Sequence, residues 1–453
     1  MPPSYDSDPF RYLRGRPDPR SQFIDDIARL FLNGEQGLWL DPSNLSTLFQ
    51  DTAGAIQATA PGQTVALARD KSGRGNHLVQ PVALSRPTLG RHPVGGRRNL
   101  LTYTEEMAGA NWVSVGSTRA DQGGGVVALT ESTETGGHNF RNSIGANFGA
   151  GVDYTLSVDA KASVGTRNFR TSSGNAGIID LVAVFDLVAG AVVSGSGASI
   201  SSLGDGWHRC TVTRTAIGGI TTAAFGMASG TAASYAGDGV STILLRRPQL
   251  VPGTDPGAYQ RVTSDWDVTE AGKADCWYLG FDGVDDFMVT AASIDLSATD
   301  KVTIFAGVAK ITDAAIGMVA EFSANAGAAG IAGTFYLLNG DGTRRWSTYG
   351  RGTIGILAYE GTAAPDAAVL TASHDIAGDL STIRRNGVAG VGGAGDMGAG
   401  NFGNHLMYVG RRAGTSLPFN GRIYQLPIRG AATSDAQVAA VEAQIAAKMG
   451  ITL

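Results

Sequence analysis

The most informative stretch of the chain reads Tyr278-Leu-Gly-Phe-Asp-Gly-Val-Asp-Asp-Phe287. Its apolar residues flank a glycine that stands between aspartates, and this pattern predicts a strand, a tight turn and a second strand. Gly283 can adopt the positive φ that such a turn needs, and aspartate side chains can accept hydrogen bonds from nearby backbone amides. The stretch therefore indicates a chain built from short strands that are joined by tight turns.

The composition favours a β-rich globular protein with two or three domains. The chain has 453 residues, of which 64 are glycine, 43% are hydrophobic and 17% are charged, so it is too apolar for a disordered chain. A net charge of −5 provides no basic surface for nucleic acid. The cysteines, Cys210 and Cys276, are too few for a disulfide framework or a cysteine-ligated zinc site. Because no signal peptide and no run of 18 apolar residues is visible, we expect synthesis in a cytoplasm and no membrane insertion.

Alternation of apolar and polar residues recurs along most of the chain, between turns rich in Gly, Ser and Asp. Such alternation is typical of strands in antiparallel sandwiches. The runs lie at 154–160, 181–187, 207–213, 242–248, 302–308, 318–322, 334–338, 380–385, 406–410 and 419–426. We predict an all-β chain of two antiparallel β-sandwiches (jelly rolls), with an N-terminal arm and helix and a short C-terminal helix.

Helical patterns occur at the two ends of the chain. Near the C-terminus, Ser434 is a suitable N-cap and Gly450 a suitable end, and the apolar face between them consists of Val438, Val441, Ile445 and Met449. Near the N-terminus, a polar arm precedes a helix whose apolar face consists of Phe23, Ile27, Leu30 and Phe31. Because one amphipathic helix cannot form a core alone, these four side chains either anchor the chain in a larger assembly or fold back onto their own domain.

Two sets of motifs resemble known families. The run Phe281-Asp-Gly-Val-Asp-Asp286 resembles the Phe-Asp-Gly-x-Asp-Asp signature of the concanavalin-like (laminin-G-like) lectin sandwiches of phage virion proteins. In that family an Asp-x-Ser-Gly-x-Gly-Asn stretch lies shortly upstream, whereas here Asp70-Lys-Ser-Gly-Arg-Gly-Asn76 lies about 200 residues away. Between the two, Asn99-Leu-Leu-Thr-Tyr-Thr-Glu-Glu106, Gly206-Trp207 and Pro248-Gln-Leu-Val-Pro-Gly253 resemble the carbohydrate-binding jelly rolls of phage tail and spike proteins.

The long gap between the two lectin motifs implies that one sandwich is inserted in the other. Insertion is tolerated at exposed loops whose ends lie close together. We expect an arm and anchoring helix at 1–35, a discontinuous lectin-like domain at 36–97 plus 268–453, and an inserted carbohydrate-binding jelly roll at 98–267. Three modules in series are the alternative.

The chain lacks the motifs of common hydrolases. It contains no Gly-x-Ser-x-Gly and no His-Glu-x-x-His, and its six histidines are scattered. The strand motif Glu-x-Asp-x-Glu of the sandwich glucanases is absent too, although two of the three carboxylates of Asp282, Asp285 and Asp286 could imitate a catalytic pair. Because aspartates in a turn more often bind backbone amides, we expect no catalytic residue and no enzymatic activity.

Metal binding would have to use oxygen ligands. Asp70 and Asn76 in the upstream loop, and Asp282 and Asp285 in the central turn, carry the carboxylate and amide oxygens that calcium takes. Their spacing matches no known calcium loop. We therefore expect no metal and no cofactor, and name these four residues as the candidates should Ca²⁺ bind.

A glycan-binding surface needs an aromatic face surrounded by planar polar groups. The best candidate is Arg344-Arg345-Trp346-Ser-Thr-Tyr349, because Arg344 and Trp346 fall on one face of a strand and arginines pair well with acidic sugars. In the alternative, Trp346 packs in the core and the arginines are solvated. In the inserted domain Trp112 and Tyr154 are further candidates, and Trp207 is expected in the core.

The resemblance implies a virion protein of a phage or a gene transfer particle. It would be a head spike or tail fibre, assembled in the bacterial cytoplasm, that attaches the particle to host capsular polysaccharide or lipopolysaccharide. Residues 1–35 would contact other virion proteins, and a homo-oligomer is expected because weak sugar contacts gain from multivalency. A capsule depolymerase and a purely structural decoration protein are the alternatives.

Overall fold

The computed structural model describes residues 25–453, except for 146–147, 176, 220, 327, 329–330 and 341–345. Regular structure in this part of the chain is almost entirely β and is arranged in mostly antiparallel sheets. The predicted all-β class is therefore confirmed. No helix among the described residues is both long and apolar enough to cross a membrane.

The described residues form two compact units. Unit 1 contains the described residues up to Thr59 together with those of 63–88 and 278–453, and unit 2 contains the described residues of 60–62 and 89–277.

Unit 2 extends beyond the 98–267 segment expected for the inserted jelly roll. Strand Thr88–Pro93 pairs in parallel with strand Asp267–Glu270 at Arg91 and Asp267, and Nε of Arg91 lies 2.6 Å from the Asp267 carboxylate. Because the two flanking segments bind each other, both belong to unit 2, whose long segment runs from 89 to 277.

Unit 1 is a sandwich of two sheets. Sheet A contains, in spatial order, Asp275–Asp282, Asn420–Arg429, Lys301–Lys310, Asp366–Asp375, Leu380–Arg385 and Val388–Ala389, and Gly37–Leu40 also pairs with Asn420–Arg429. Sheet B contains Leu48–Phe49, Leu67–Ala68, Leu78–Val79, Met288–Thr290, Met407–Val409, Gly317–Phe322, Thr334–Asn339, Trp346–Arg351 and Gly355–Glu360. Ile294–Asp295 pairs with Asn404–His405. Short 3₁₀ helices lie at Leu45–Thr47 and Ala83–Ser85.

The core of unit 1 lies between sheets A and B. The buried His374 of sheet A approaches Oγ1 of Thr348 in sheet B, with 2.9 Å between Nε2 and the hydroxyl. In the same layer Phe322 and Phe335 stack with their ring centroids 5.0 Å apart. Burying one such phenylalanine stabilises a fold by about 2 kcal/mol, so this layer fixes which face of each strand points inward.

A helix at Asp435–Met449 covers the outer face of sheet A. Ser434 and Gln437 form a capping box at its start, and Gly450 ends it in the left-handed conformation with φ of 71°, as the sequence predicts. Gly307 in sheet A allows the close approach, since a Cβ there would lie 2.7 Å from the Ile445 side chain. The helix packs on the strands Lys301–Lys310 and Asp366–Asp375 of sheet A.

The short helix Asp26–Arg29 also belongs to unit 1. Ile27, Leu30 and Phe31 are buried, and Asp25 accepts a 2.7 Å hydrogen bond from Gln444 of the C-terminal helix. The helix therefore packs onto its own unit, where its apolar face is buried. This arrangement was the alternative to an exposed anchor. Phe23, the fourth predicted anchor residue, lies outside the described residues.

Unit 2 is a second sandwich. Sheet C contains Ala191–Ser194, Ala183–Asp186, Asn168–Ser173, Thr222–Ala228, His138–Ser143 and Val113–Val115. Sheet D contains Ala198–Gly204, Trp207–Thr215, Asp153–Val164, Thr242–Pro252, Val127–Glu131 and Ser117–Asp121. Gln260–Ser264 pairs with Asp267–Glu270, and Tyr235–Ala236 with Thr135–Gly136. The core between sheets C and D is rich in aromatic rings, among them Phe140, Phe169 and Phe225.

Candidate functional site

The structure places the predicted glycan-binding tryptophan in the core. Trp346 is fully buried, and its Nε1 donates a 2.7 Å hydrogen bond to Asp366. Side chains alternate between the two faces of a strand, so Trp346 and Thr348 point into the sandwich, whereas Tyr349 lies on the outer face of sheet B and is half-buried. Trp346 packs in the core, which was the alternative to a glycan-binding role. Arg344 and Arg345 lie outside the described residues.

The two glycan-binding candidates of unit 2, Trp112 and Tyr154, also lie in the core. Trp112 is buried, donates from Nε1 to the carbonyl of Tyr103 at 3.0 Å and contacts Phe140. Tyr154 is buried against Phe148. Both side chains stabilise the core and are inaccessible to a glycan. Trp207, which was expected in the core, is only half-buried.

A row of tyrosines crosses the outer face of sheet B and includes Tyr349. Tyr408, Glu321, Tyr336 and Tyr349 stand opposite one another on four neighbouring strands. The rings of Tyr336 and Tyr349 stack with centroids 4.9 Å apart and only 9° between their planes. The three tyrosines are half-buried. We call Tyr408, Tyr336 and Tyr349, with Glu321, Arg412 and Arg351 beside them, the tyrosine face.

A buried ion pair supports one end of the tyrosine face. Nε of Arg412 lies 3.1 Å and 3.0 Å from the two carboxylate oxygens of Glu321, which also accepts a 2.8 Å hydrogen bond from the amide of Ala326. Burial raises the pKa of Glu321, and the hydrogen bond and charge of Arg412 offset part of that rise. The guanidinium carbon lies 5.7 Å from the Tyr336 ring centroid. Glu321 thus holds a planar cation beside the stacked rings.

A second arginine lies at the other end of the row. Arg351 follows Tyr349 by two positions and so shares its face, and its Nη1 donates a 2.6 Å hydrogen bond to the carbonyl of Ala328. Its Nε is buried and has no hydrogen-bond partner among the described residues. The tyrosine face therefore has a guanidinium near each end and one carboxylate between them.

Gly355 sets the position of the Tyr349 ring. The ring lies directly over Gly355 on the neighbouring strand, where a Cβ would overlap the phenol. The φ of Gly355 is not in the left-handed region, so its role is to provide space. Any side chain at this position must push Tyr349 off the sheet surface.

The sequence carried a signal for this site that depends on strand register. Tyr336 and Tyr349 are both visible in the sequence, but they belong to different strands of one hairpin. Six residues separate the strands Thr334–Asn339 and Trp346–Arg351, and a connection of this length does not specify which residues of the two strands pair. Arg412 and Tyr408 come from a segment some 60 residues further along the chain, and no local pattern links them to the hairpin.

The central aspartate cluster is built by a turn. Oδ1 of Asp282 accepts hydrogen bonds from the amides of Val284 and Asp285, and Asp286 accepts one from Asp282. Ser85 donates to Asp285 at 2.8 Å. One oxygen from each of the three carboxylates lies within 4.8 Å of the others. Burial and the charges of its two neighbours raise the pKa of Asp286 to about 7.

The upstream loop uses its polar side chains to hold itself together. Asp70 accepts hydrogen bonds from the amide of Trp39 at 2.8 Å, from the amide and hydroxyl of Ser72, and from the amide of Asn76. Asn76 donates to the carbonyl of Gly37 at 2.6 Å. These bonds tie the loop to the strand Gly37–Leu40, which is a structural role for both metal candidates.

Parts of the chain resemble solved structures at low sequence identity. No family model and no curated protein matches the sequence. Among solved structures, the chain resembles the receptor-binding domain of botulinum neurotoxin mosaic serotype C/D at 9% identity and a TM-score of 0.29, over 37% of this chain and 42% of that one. It also resembles the CBM40 of the Ruminococcus gnavus IT-sialidase bound to α2,3 sialyllactose, at 16% identity and 0.28, over 36% and 95%.

A third similar structure is the pair of domains LG4-5 of the mouse laminin α1 chain, at 13% identity and a TM-score of 0.26, over 61% of this chain and 82% of that one. These structures include a carbohydrate-binding module and laminin-G-like domains. The chain spans less than half of the neurotoxin domain that it matches. What these proteins bind is a property of theirs.

Proposed function

We propose that the protein binds a glycan through the tyrosine face. The observation that carries the proposal is the stacked, nearly parallel pair of half-buried rings, Tyr336 and Tyr349, on the face of sheet B that points away from the core. A tyrosine pair that served only the core would lie between the sheets, where Trp346 lies.

The chemistry of the face matches that of a sugar. The C–H groups of a pyranose ring pack against an aromatic ring, and its hydroxyls need planar donors and acceptors nearby. Arg412 and Arg351 supply planar donors around the rings, and the buried Glu321 carboxylate holds Arg412 in place. Because all of them stand on strands or on a short turn held by hydrogen bonds, little order has to be gained on binding.

The proposal includes no catalysis and no metal. Glycoside hydrolysis needs two carboxyl groups that flank the scissile bond, whereas the tyrosine face presents one, Glu321, which is paired with Arg412. Binding by stacking and hydrogen bonds needs no cation.

We further propose that glycan binding attaches a virion, of a phage or a gene transfer particle, to host capsular polysaccharide or lipopolysaccharide, with several copies acting together. This part rests on the resemblance of the Phe281-Asp-Gly-Val-Asp-Asp286 and Asn99-Leu-Leu motifs to phage proteins. Weak single sites of the proposed kind gain affinity when several copies engage one polymer.

A glycan array followed by titration of the best ligand tests the proposal. Tyr349→Ala should weaken binding roughly tenfold, which corresponds to the loss of about 1.4 kcal/mol of stacking, whereas Tyr349→Phe keeps the ring and should retain most of the affinity. Gly355→Ala should also weaken binding, because its Cβ displaces the Tyr349 ring, although the variant keeps every side chain that is proposed to contact the glycan.

The matched control is Gly361→Ala, since a Cβ at Gly361 meets no atom within 4 Å. Equal affinity of the Tyr349→Ala, Gly355→Ala and control proteins for the ligand would contradict the proposal. Sizing of the polysaccharide after incubation provides the test against a depolymerase, because shortened chains would show catalysis.

A further inference from the structure

The outer face of sheet D, in unit 2, carries a cluster of arginines around one carboxylate. We propose that this cluster is a second binding site, which takes an oxyanion carried by a sugar: a uronate carboxylate or a sulfate or phosphate ester. We call Arg209, Arg246, Arg247 and Trp207, with Asp159 beneath them, the arginine patch. The inference goes beyond the proposed function, because it concerns another unit and another ligand group.

A buried carboxylate organises the arginine patch. Asp159 is fully buried and lies 2.5 Å from Nε of Arg209, 3.3 Å from Nε of Arg246 and 4.0 Å from Nη1 of Arg247. A single carboxylate neutralises one of the three guanidinium groups, so the cluster keeps an excess of two positive charges. Lys161 shares the outer face two positions along the strand from Asp159. The patch is thus locally cationic on a chain whose net charge is −5.

A bulge in the strand presents Arg247 to solvent. The pairing of strands Asp153–Val164 and Thr242–Pro252 shifts register between Ser157 and Asp159. At this shift Arg247 has φ of 50°, in the left-handed region, and its side chain is 53% exposed. Bulges that re-aim one side chain, and non-glycine residues at positive φ, concentrate at functional sites. A regular strand would alternate Arg246 and Arg247 across the two faces, whereas the bulge lets both approach Asp159.

An aromatic platform adjoins these cations. The guanidinium carbon of Arg246 lies 4.1 Å from the ring centroid of Trp207, which is half-buried. Stacking on a ring holds a guanidinium flat and leaves its edge free to form paired hydrogen bonds with an oxyanion. A sugar acid fits this arrangement, since its ring can contact Trp207 while its carboxylate, or its sulfate or phosphate ester, meets the arginines.

Binding of the full-length protein to charged and neutral polysaccharides tests the inference. The probes are polygalacturonate, which carries carboxylates, dextran sulfate, and uncharged dextran. We expect binding to at least one charged probe, with little to dextran, and weaker binding as NaCl rises from about 0.05 M to about 0.5 M, because the Debye length falls about threefold. The two charged probes distinguish a carboxylate from an ester as the preferred group.

Two variants locate the site. Arg247→Asn removes the charge with a residue that tolerates positive φ, and Arg246→Met keeps an unbranched apolar chain over Trp207. Each should weaken charged-probe binding about three- to fivefold, as expected for an exposed ion pair. Lys273→Gln, which removes an exposed charge elsewhere in unit 2, is the matched control and should leave binding within error of the unmodified protein.

The outcomes separate this inference from the proposed function. If neither charged probe binds, or if the two arginine variants bind as well as the Lys273→Gln protein, the arginine patch is not an oxyanion site. If Tyr349→Ala alone abolishes charged-probe binding, the inference is overturned and the tyrosine face is the acid-binding site. Loss of charged-probe binding in the arginine variants, with glycan-array binding through Tyr349 intact, supports both sites.

Discussion

Replacing Asp286 by Asn tests the interpretation of the central turn. Asp286 sits beside Asp282 and Asp285, and burial together with these charges raises its pKa from 3.8 to about 7. Between those pH values the folded protein keeps a proton on Asp286 that the unfolded chain has lost. Raising the pH through this window therefore costs stability.

The size of the effect follows from the pKa difference. The shift from 3.8 to about 7 is roughly three units, and each unit corresponds to about 1.4 kcal/mol, so the free energy of unfolding should fall by up to about 4 kcal/mol between pH 4 and pH 7.5. Asp286→Asn keeps the acceptor for the amide of Asp282 and cannot ionise. We expect the Asn variant to lack this loss and to be more stable than the unmodified protein at pH 8.

Urea unfolding at a series of pH values, followed by fluorescence, measures this difference. Asp396→Asn, which removes an exposed carboxylate of unit 1, is the control and should keep the pH dependence of the unmodified protein. Parallel curves for Asp286→Asn and the unmodified protein from pH 4 to 8 would refute the reasoning.

Four further predictions follow from the packing of unit 1. Arg412→Met leaves the buried Glu321 carboxylate unpaired and should lower the free energy of unfolding by about 3 kcal/mol at neutral pH, measured by urea titration. Ser434→Ala removes the helix cap and should cost about 1 kcal/mol in the same assay. Burial lowers the pKa of His374 from 6.5 to about 3, so below pH 6.5 the unfolded chain binds a proton that the folded protein does not, and the free energy of unfolding falls as the pH falls. In the His374→Gln protein the urea midpoint should therefore change less with pH below 6.5. Calcium chloride at neutral pH should leave the thermal midpoint unchanged, because the Asp282 turn is expected to hold no metal; a rise that Asp286→Asn abolishes would contradict this.

The sequence predicted those elements whose signals are local. The C-terminal helix was placed correctly from Ser434 to Gly450, because a cap, an apolar face and a terminal glycine all act within one helix. The all-β class likewise follows from alternation within single strands.

The sequence did not predict features that depend on contacts between residues far apart in the chain. Alternation alone leaves open which face of Trp346–Arg351 points inward, and the choice is made by His374 and Asp366 of the opposite sheet. The N-terminal helix is covered by a helix some 400 residues away. Trp207 lies two positions before Arg209 and so shares its face of the strand. That face points away from the core, because Arg209 pairs there with Asp159 on the neighbouring strand.

The most direct test of the central claim is a hydrogen–deuterium exchange footprint of the full-length protein with the best array ligand. Glycan binding at the tyrosine face predicts slower exchange in the strands Thr334–Asn339, Trp346–Arg351 and Met407–Val409, with the rest of unit 1 unchanged. Protection confined to other segments, while these strands exchange as in the free protein, would contradict the claim.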